Sequence, residues 1–142
     1  MTTNLNPYIN FRGQAAEAGD FYRSVLGGTI TRSTFADFGM PVEPGEEGLV
    51  MHSQLVTDGG LVLMISDVPA KMDLTPGNNI TVSLSGDDVD ELRGYFDRLS
   101  EGATIFVPME KAPWGDYFGQ LTDKFGINWM VNGGGTPDSP TE

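Results

Sequence analysis

The stretch Trp114-Gly115-Asp116-Tyr117-Phe118-Gly119-Gln120-Leu121-Thr122-Asp123-Lys124-Phe125-Gly126-Ile127-Asn128-Trp129 reads as two short strands joined by a tight turn over residues 123–126. Gly126 closes the turn, since glycine tolerates the positive φ that tight turns need. An earlier pair of strands, over 49–57 and 61–66, meets at Asp58-Gly59-Gly60 in the same manner. The later hairpin closes a fold made of paired modules.

The pairing extends to the helices. Ala15, Ala18, Tyr22 and Val25 have the spacing of one helical stripe, and Val89, Leu92, Phe96 and Leu99 repeat it. Gly28 and Gly102 follow the two stripes, where a left-handed cap is least costly. The offset is 74 residues in both comparisons (89 − 15 and 102 − 28). The chain is therefore read as α+β, two copies of a βαβββ module. Strands are expected over 6–11, 29–38, 49–57 and 61–66 in the first module. In the second they are expected over 80–85, 104–109, 117–122 and 127–131, with its helix over 87–99. In these terms 1–66 is the first module, 67–77 a linker with Pro69 and Pro76, and 78–132 the second module. Together 5–132 form one structural domain. Residues 39–48, rich in Gly and Pro, cannot hold a sheet ladder and are expected to form a mobile loop. The tail 133–142 has nothing to bury and is expected to be disordered.

A chain of 142 residues can bury one core or two small cores that share a boundary. Eight Lys and Arg against 20 Asp and Glu give a formal charge of −12, which repels nucleic-acid phosphates and anionic membrane surfaces. Without cysteine there are no disulfides, thiol nucleophiles or thiolate metal sites. Met1-Thr2-Thr3-Asn4 lacks a basic region and an apolar run, and no window is apolar enough to span a bilayer, so the expected location is cytoplasmic.

The segments Pro7-Tyr8-Ile9-Asn10-Phe11, Phe21-Tyr22-Arg23-Ser24-Val25-Leu26-Gly27-Gly28, Met51-His52-Ser53-Gln54-Leu55 and the closing hairpin together resemble the glyoxalase/bleomycin-resistance/dioxygenase (vicinal oxygen chelate) superfamily, and within it the PhnB-like branch. The resemblance covers residues 5–132. It implies a cupped eight-stranded mixed sheet holding a small ligand, in a homodimer. Metal-dependent members carry His and Glu on the first and last strands of each module. By pattern those positions fall on Pro7, Met64, Asn79 and Met130, none of which is His, Asp or Glu. A divalent metal needs three or four good donors, so neither a metal site nor a cofactor is expected.

His52 is the only histidine. Alternation places Val50, His52 and Gln54 on one face and Met51, Ser53 and Leu55 on the other. His52 beside Gln54 can bind or protonate a ligand, because imidazole changes charge near neutral pH; the competing reading is a structural, hydrogen-bonded histidine. Tyr8 and Asn10 share a face of the first strand and can line a cup, although a tyrosine there can equally fill core with its hydroxyl at the rim. Met64 lies at the ligand-facing position of the fourth strand. Trp114 and Trp129 flank the final hairpin and offer aromatic walls for a planar or acyl ligand, or plain core. Glu110 can act as a general base at the mouth of the cup, or form a solvated pair with Lys111.

Other chemistries lack their residues. Gly59-Gly60 and 133–135 have neither the strand–loop–helix setting nor the lysine of a phosphate cradle. His52 has no Gly-x-Ser-x-Gly partner for a hydrolase triad. Some PhnB-like sequences carry a demethylubiquinone methyltransferase label, but no glycine-rich adenosylmethionine loop is present. Three readings follow: a metal-free small-molecule-binding protein, an acid–base isomerase or lyase on a small oxygenated substrate using His52, or a resistance-type protein that sequesters a drug or metabolite.

Overall fold

The computed structural model describes residues 3–134. The chain divides into two compact units, 1–76 and 77–142. The first contains β1 (Tyr8–Phe11), α1 (Ala15–Leu26), β2 (Thr29–Thr34), β3 (Val50–Val56) and β4 (Val62–Asp67). The second contains β5 (Thr81–Gly86), α2 (Val89–Leu99), β6 (Thr104–Lys111), β7 (Tyr117–Thr122) and β8 (Asn128–Gly133). Each unit is one βαβββ module with a four-stranded mixed sheet, ordered β1-β4-β3-β2 and β5-β8-β7-β6. The outer pairs β1/β4 and β5/β8 are parallel and the remaining pairs antiparallel.

In the first unit α1 packs against one face of its sheet through Ala15, Ala18, Tyr22 and Val25, the stripe read from the sequence. That face is lined by Phe11, Ser53, Leu55, Leu63 and Ile65, all buried. Gly19 lets the helix approach the sheet: a Cβ there would lie 2.7 Å from Ile30 Cδ1. The helix start has no side-chain cap of its own. Buried Asp67, at the end of β4, instead accepts the Ala15 N–H at 2.9 Å and the Val50 N–H at 3.0 Å, tying the starts of α1 and β3 to one carboxylate.

Three sequence expectations change here. The strand expected over 29–38 stops at Thr34, and Ala36–Phe38 forms a 3-10 turn that ends at Gly39 with φ 63°. The α1 cap is Gly27 rather than Gly28, and α2 ends at Ser100, two residues before Gly102. Val50 is buried rather than sharing the open face with His52, because the β2/β3 register shifts between Ser33 and Thr34. The 39–48 segment carries no strand, and Glu46 fastens it to the Ala70 N–H at 2.8 Å. Gly133, the first residue of the expected tail, completes β8, and Gly134 N–H donates to Gly86 O; residues 135–142 lie outside the described residues.

In the second unit α2 opens on an Asp88 cap that accepts the Glu91 N–H at 3.1 Å, and buries Leu92, Phe96 and Leu99. The closing hairpin turns as its sequence indicates: Gly126, with φ 89°, donates to Asp123 O, and Asp123 N–H donates to Ile127 O. Thr57, Gly60 and Leu61 make the equivalent bonds in the first unit, 66 residues earlier (123 − 57, 126 − 60, 127 − 61). The cross-strand pair Gln54/Met64 returns as Gln120/Met130 at the same offset (120 − 54, 130 − 64). The helical offset of 74 thus falls to 66 after β2, reflecting the longer 35–49 connection in the first module.

Candidate functional site

The first sheet's face away from α1 collects five of the residues singled out from the sequence. Tyr8, Met64 and Gln54 follow one another across β1, β4 and β3, with Thr31 on β2 completing the row. Asn10 and Ser66 are partners in the next row, and His52 faces Ser33. Tyr8 and His52 are separated by the whole of β4, yet their side chains meet above it. The Tyr8 hydroxyl is 3.3 Å from His52 Nδ1, and the rings are 5.6 Å apart at 31°. With the ring proton on Nε2 the Tyr8 hydroxyl donates to Nδ1; with the proton on Nδ1 the ring donates to the phenol oxygen and Nε2 keeps its lone pair. Ser66 Oγ donates to Asn10 Oδ1 at 3.0 Å. The result is a patch of phenol, imidazole, hydroxyl and two carboxamides on a sheet face that its own helix does not cover. Ser66 was not anticipated; its period-2 spacing from Met64 was the available signal.

The other three candidates lie in the second unit. Glu110 is exposed on β6 opposite Phe118, and Trp114 meets the Phe118 ring edge-on at 5.6 Å. Trp129 is 1% exposed and its indole N–H donates to Asp123 Oδ2 at 2.9 Å, so most of this side chain is core. Asp123 also accepts the Phe125 and Ile127 N–H groups, making it the keystone of the turn. An edge of Trp129 borders a cavity of about 380 Å³ at the hairpin end of the sheet, together with Asn78, Thr81, Phe106, Gln120 and Asn128.

The donor set does not fit the divalent metal that metal-dependent relatives hold. On β1 and β4 the face away from the helix presents Tyr8, Asn10, Met64 and Ser66. On β5 and β8 it presents Thr81, Ser83, Ser85, Asn128, Met130 and Asn132. Neither set contains an imidazole or carboxylate. Tyr8 rather than Pro7 is the partner of Met64, and Asn79 precedes β5, so the inferred positions shift along the chain without gaining a donor. Asp67, the lone carboxylate on these four strands, is spent on Ala15 and Val50. No group of three His, Cys, Asp or Glu able to hold a metal ion exists among the described residues.

Fold and comparison agree. Residues 4–131 match the model of the Glyoxalase/Bleomycin resistance protein/Dioxygenase superfamily, and the chain belongs to that superfamily. Protein YjdN of Escherichia coli K12 is 25% identical over 139 residues, covering 90% of this chain and 93% of its own. The crystal structure of PA1353 from Pseudomonas aeruginosa superposes with a TM-score of 0.77 at 32% identity, covering 93% of this chain and 98% of that one. A PhnB protein from Bacillus cereus, described as a putative 3-demethylubiquinone-9 3-methyltransferase, gives 0.71 at 24% identity over 92% of this chain and 99% of its own. PhnB-like proteins are thus among its structural neighbours. Among the described residues, no helix is long and apolar enough to cross a membrane.

Proposed function

We propose that the protein binds a small oxygenated molecule without a metal, and that Tyr8, Asn10, His52 and Gln54 on the first sheet read it. The observation that carries this is the Tyr8–His52 contact, in which a phenol 3.3 Å from Nδ1 orients an imidazole on an uncovered polar face. The methyltransferase description of the Bacillus relative does not transfer. The turns after the parallel-paired strands β1 and β5 read Arg12-Gly13-Gln14 and Asp87-Asp88, and neither is the glycine-rich loop that an adenosylmethionine site requires.

A thermal-shift screen of metabolites tests the proposal, since a ligand that binds only the folded chain raises its melting temperature. His52→Ala is expected to weaken the hit about 10-fold or more while costing no more than about 1–2 kcal/mol of stability. Tyr8→Phe should weaken it less. A large stability loss with unchanged affinity would retire His52 as a site residue.

The same contact favours a second reading, acid–base isomerisation or elimination, in which Nδ1–H donates to the Tyr8 oxygen and the Nε2 lone pair of His52 takes a proton from a carbon beside a carbonyl. It predicts exchange of that C–H with solvent deuterium in the wild type and none in His52→Ala. Binding without exchange leaves the protein a binder.

A further inference from the structure

We infer that the cavity at the hairpin end of the second sheet is a binding site for an uncharged, planar molecule with an amide-like edge. The inference deepens the small-molecule reading and rests on it. The volume, about 380 Å³, lies within the range of small-ligand pockets, roughly 300–1,000 Å³. None of the nine residues lining it is charged, in a chain of net charge −12. An anion entering it would find no cation to replace its water, and a cation would find no carboxylate. Asp123, next in sequence to the lining residue Thr122, is not itself in the lining, and its oxygens accept from the Phe125 and Ile127 N–H groups and the Trp129 indole.

The polar lining divides into spent and available groups. Asn128 donates to Asn78 O at 3.2 Å and Ile80 O at 3.3 Å, and its Oδ1 accepts from Thr122 Oγ1 at 2.7 Å. The carboxamides of Asn78 and Gln120 and the Thr81 hydroxyl make no such bonds. Each carboxamide offers a donor and an acceptor side by side, the complement of an amide or lactam edge. Phe106 supplies the flat wall. The β6/β7 register passes from Ile105/Leu121 to Val107/Gln120, leaving Phe106 as the extra residue of a bulge. A bulge re-aims its side chain, and this one leaves Phe106 66% exposed at the rim, an arrangement that core packing does not require.

The experiment uses benzamide, benzoate and benzylammonium, which share one shape and differ in charge, and follows the Trp129 indole N–H in ¹H–¹⁵N spectra. There are two tryptophans, so Trp114→Phe assigns the peak. Benzamide is expected to shift it saturably, with the two ions at least about tenfold weaker. Loss of one amide hydrogen bond in Gln120→Ala should weaken benzamide about fivefold. Phe106→Ala, an exposed position that leaves the fold intact, should weaken it as well. Equal or tighter binding of either ion, an unmoved indole with all three probes, or wild-type affinity in both variants overturns the inference. Such failure leaves the first-sheet reading standing, because that reading is judged by the His52 and Tyr8 variants in the metabolite screen.

Discussion

Two of the three aspartates buried among the described residues, Asp67 and Asp123, organise this chain by accepting N–H groups from separate segments. Asp67 receives two backbone N–H groups from separate elements, so Asp67→Ala strands both donors in the core. The expected cost is about 3–6 kcal/mol, from two charge-assisted bonds at roughly 1.5–3 each, against under about 0.5 for exposed Asp58→Ala. Urea unfolding midpoints measure the difference. Tyr95 gives a pH signature. Burial, then the neighbouring Glu91 carboxylate, raises its phenol above the ordinary value, with Arg98 opposing. The folded state therefore holds the proton more tightly than the unfolded chain. Its stabilisation is in place below the ordinary phenol value and is lost as pH climbs through the raised one. Tyr95→Phe should unfold less steeply with alkali over that window than the wild type, as followed by circular dichroism.

At the scale of elements, the two glycines after α1 look equivalent in sequence and are not. Gly27 has φ 77° and ψ −170° with open space around its Cβ direction, so Gly27→Ala should cost only the backbone strain of about 1–3 kcal/mol. Gly28 has φ 96°, and a Cβ there would stand 2.3 Å from Val56 O. Gly28→Ala should therefore push the start of β2 off the end of β3 and lower the melting temperature well beyond its neighbour. The sequence marked the helix end because helical periodicity stops at glycine, but spacing carries no information about which glycine touches another strand. The same limit decides the rest of the site. Alternation put Tyr8, Asn10, His52 and Gln54 on one face because strand period is a local property. It misplaced Val50, because the shift between Ser33 and Thr34 depends on the partner strand. Trp129 read as either wall or core, and alternation could not choose, since the Asp123 carboxylate that claims its N–H is identified only once the turn is folded. Asp67 read as the first linker residue, and its role is set by a helix 52 residues away in sequence.

At the scale of the molecule, the duplicated module keeps its frame and diverges on the face away from its helix. Gln54/Met64 and Gln120/Met130 are retained, whereas the neighbouring His52 of the first sheet has Phe118 at the equivalent place in the second (118 − 52 is again 66). Each half remains a sheet of four strands, with β1 and β2 at the edges of the first and β5 and β6 at the edges of the second. Edge strands carry unpaired backbone groups that natural proteins cover or blunt. Beside these edges stand apolar side chains that a monomer has no reason to keep in water: Ile80 at 78% exposed and Trp114 at 62%. A symmetric homodimer that buries well over about 1,000 Å² would cover such a surface. Light scattering at micromolar concentration is expected to give twice the chain mass, and Ile80→Lys, at a site just before β5, should shift the balance toward monomer without lowering helix or strand content. A wild-type monomer under those conditions would overturn the expectation of a dimer.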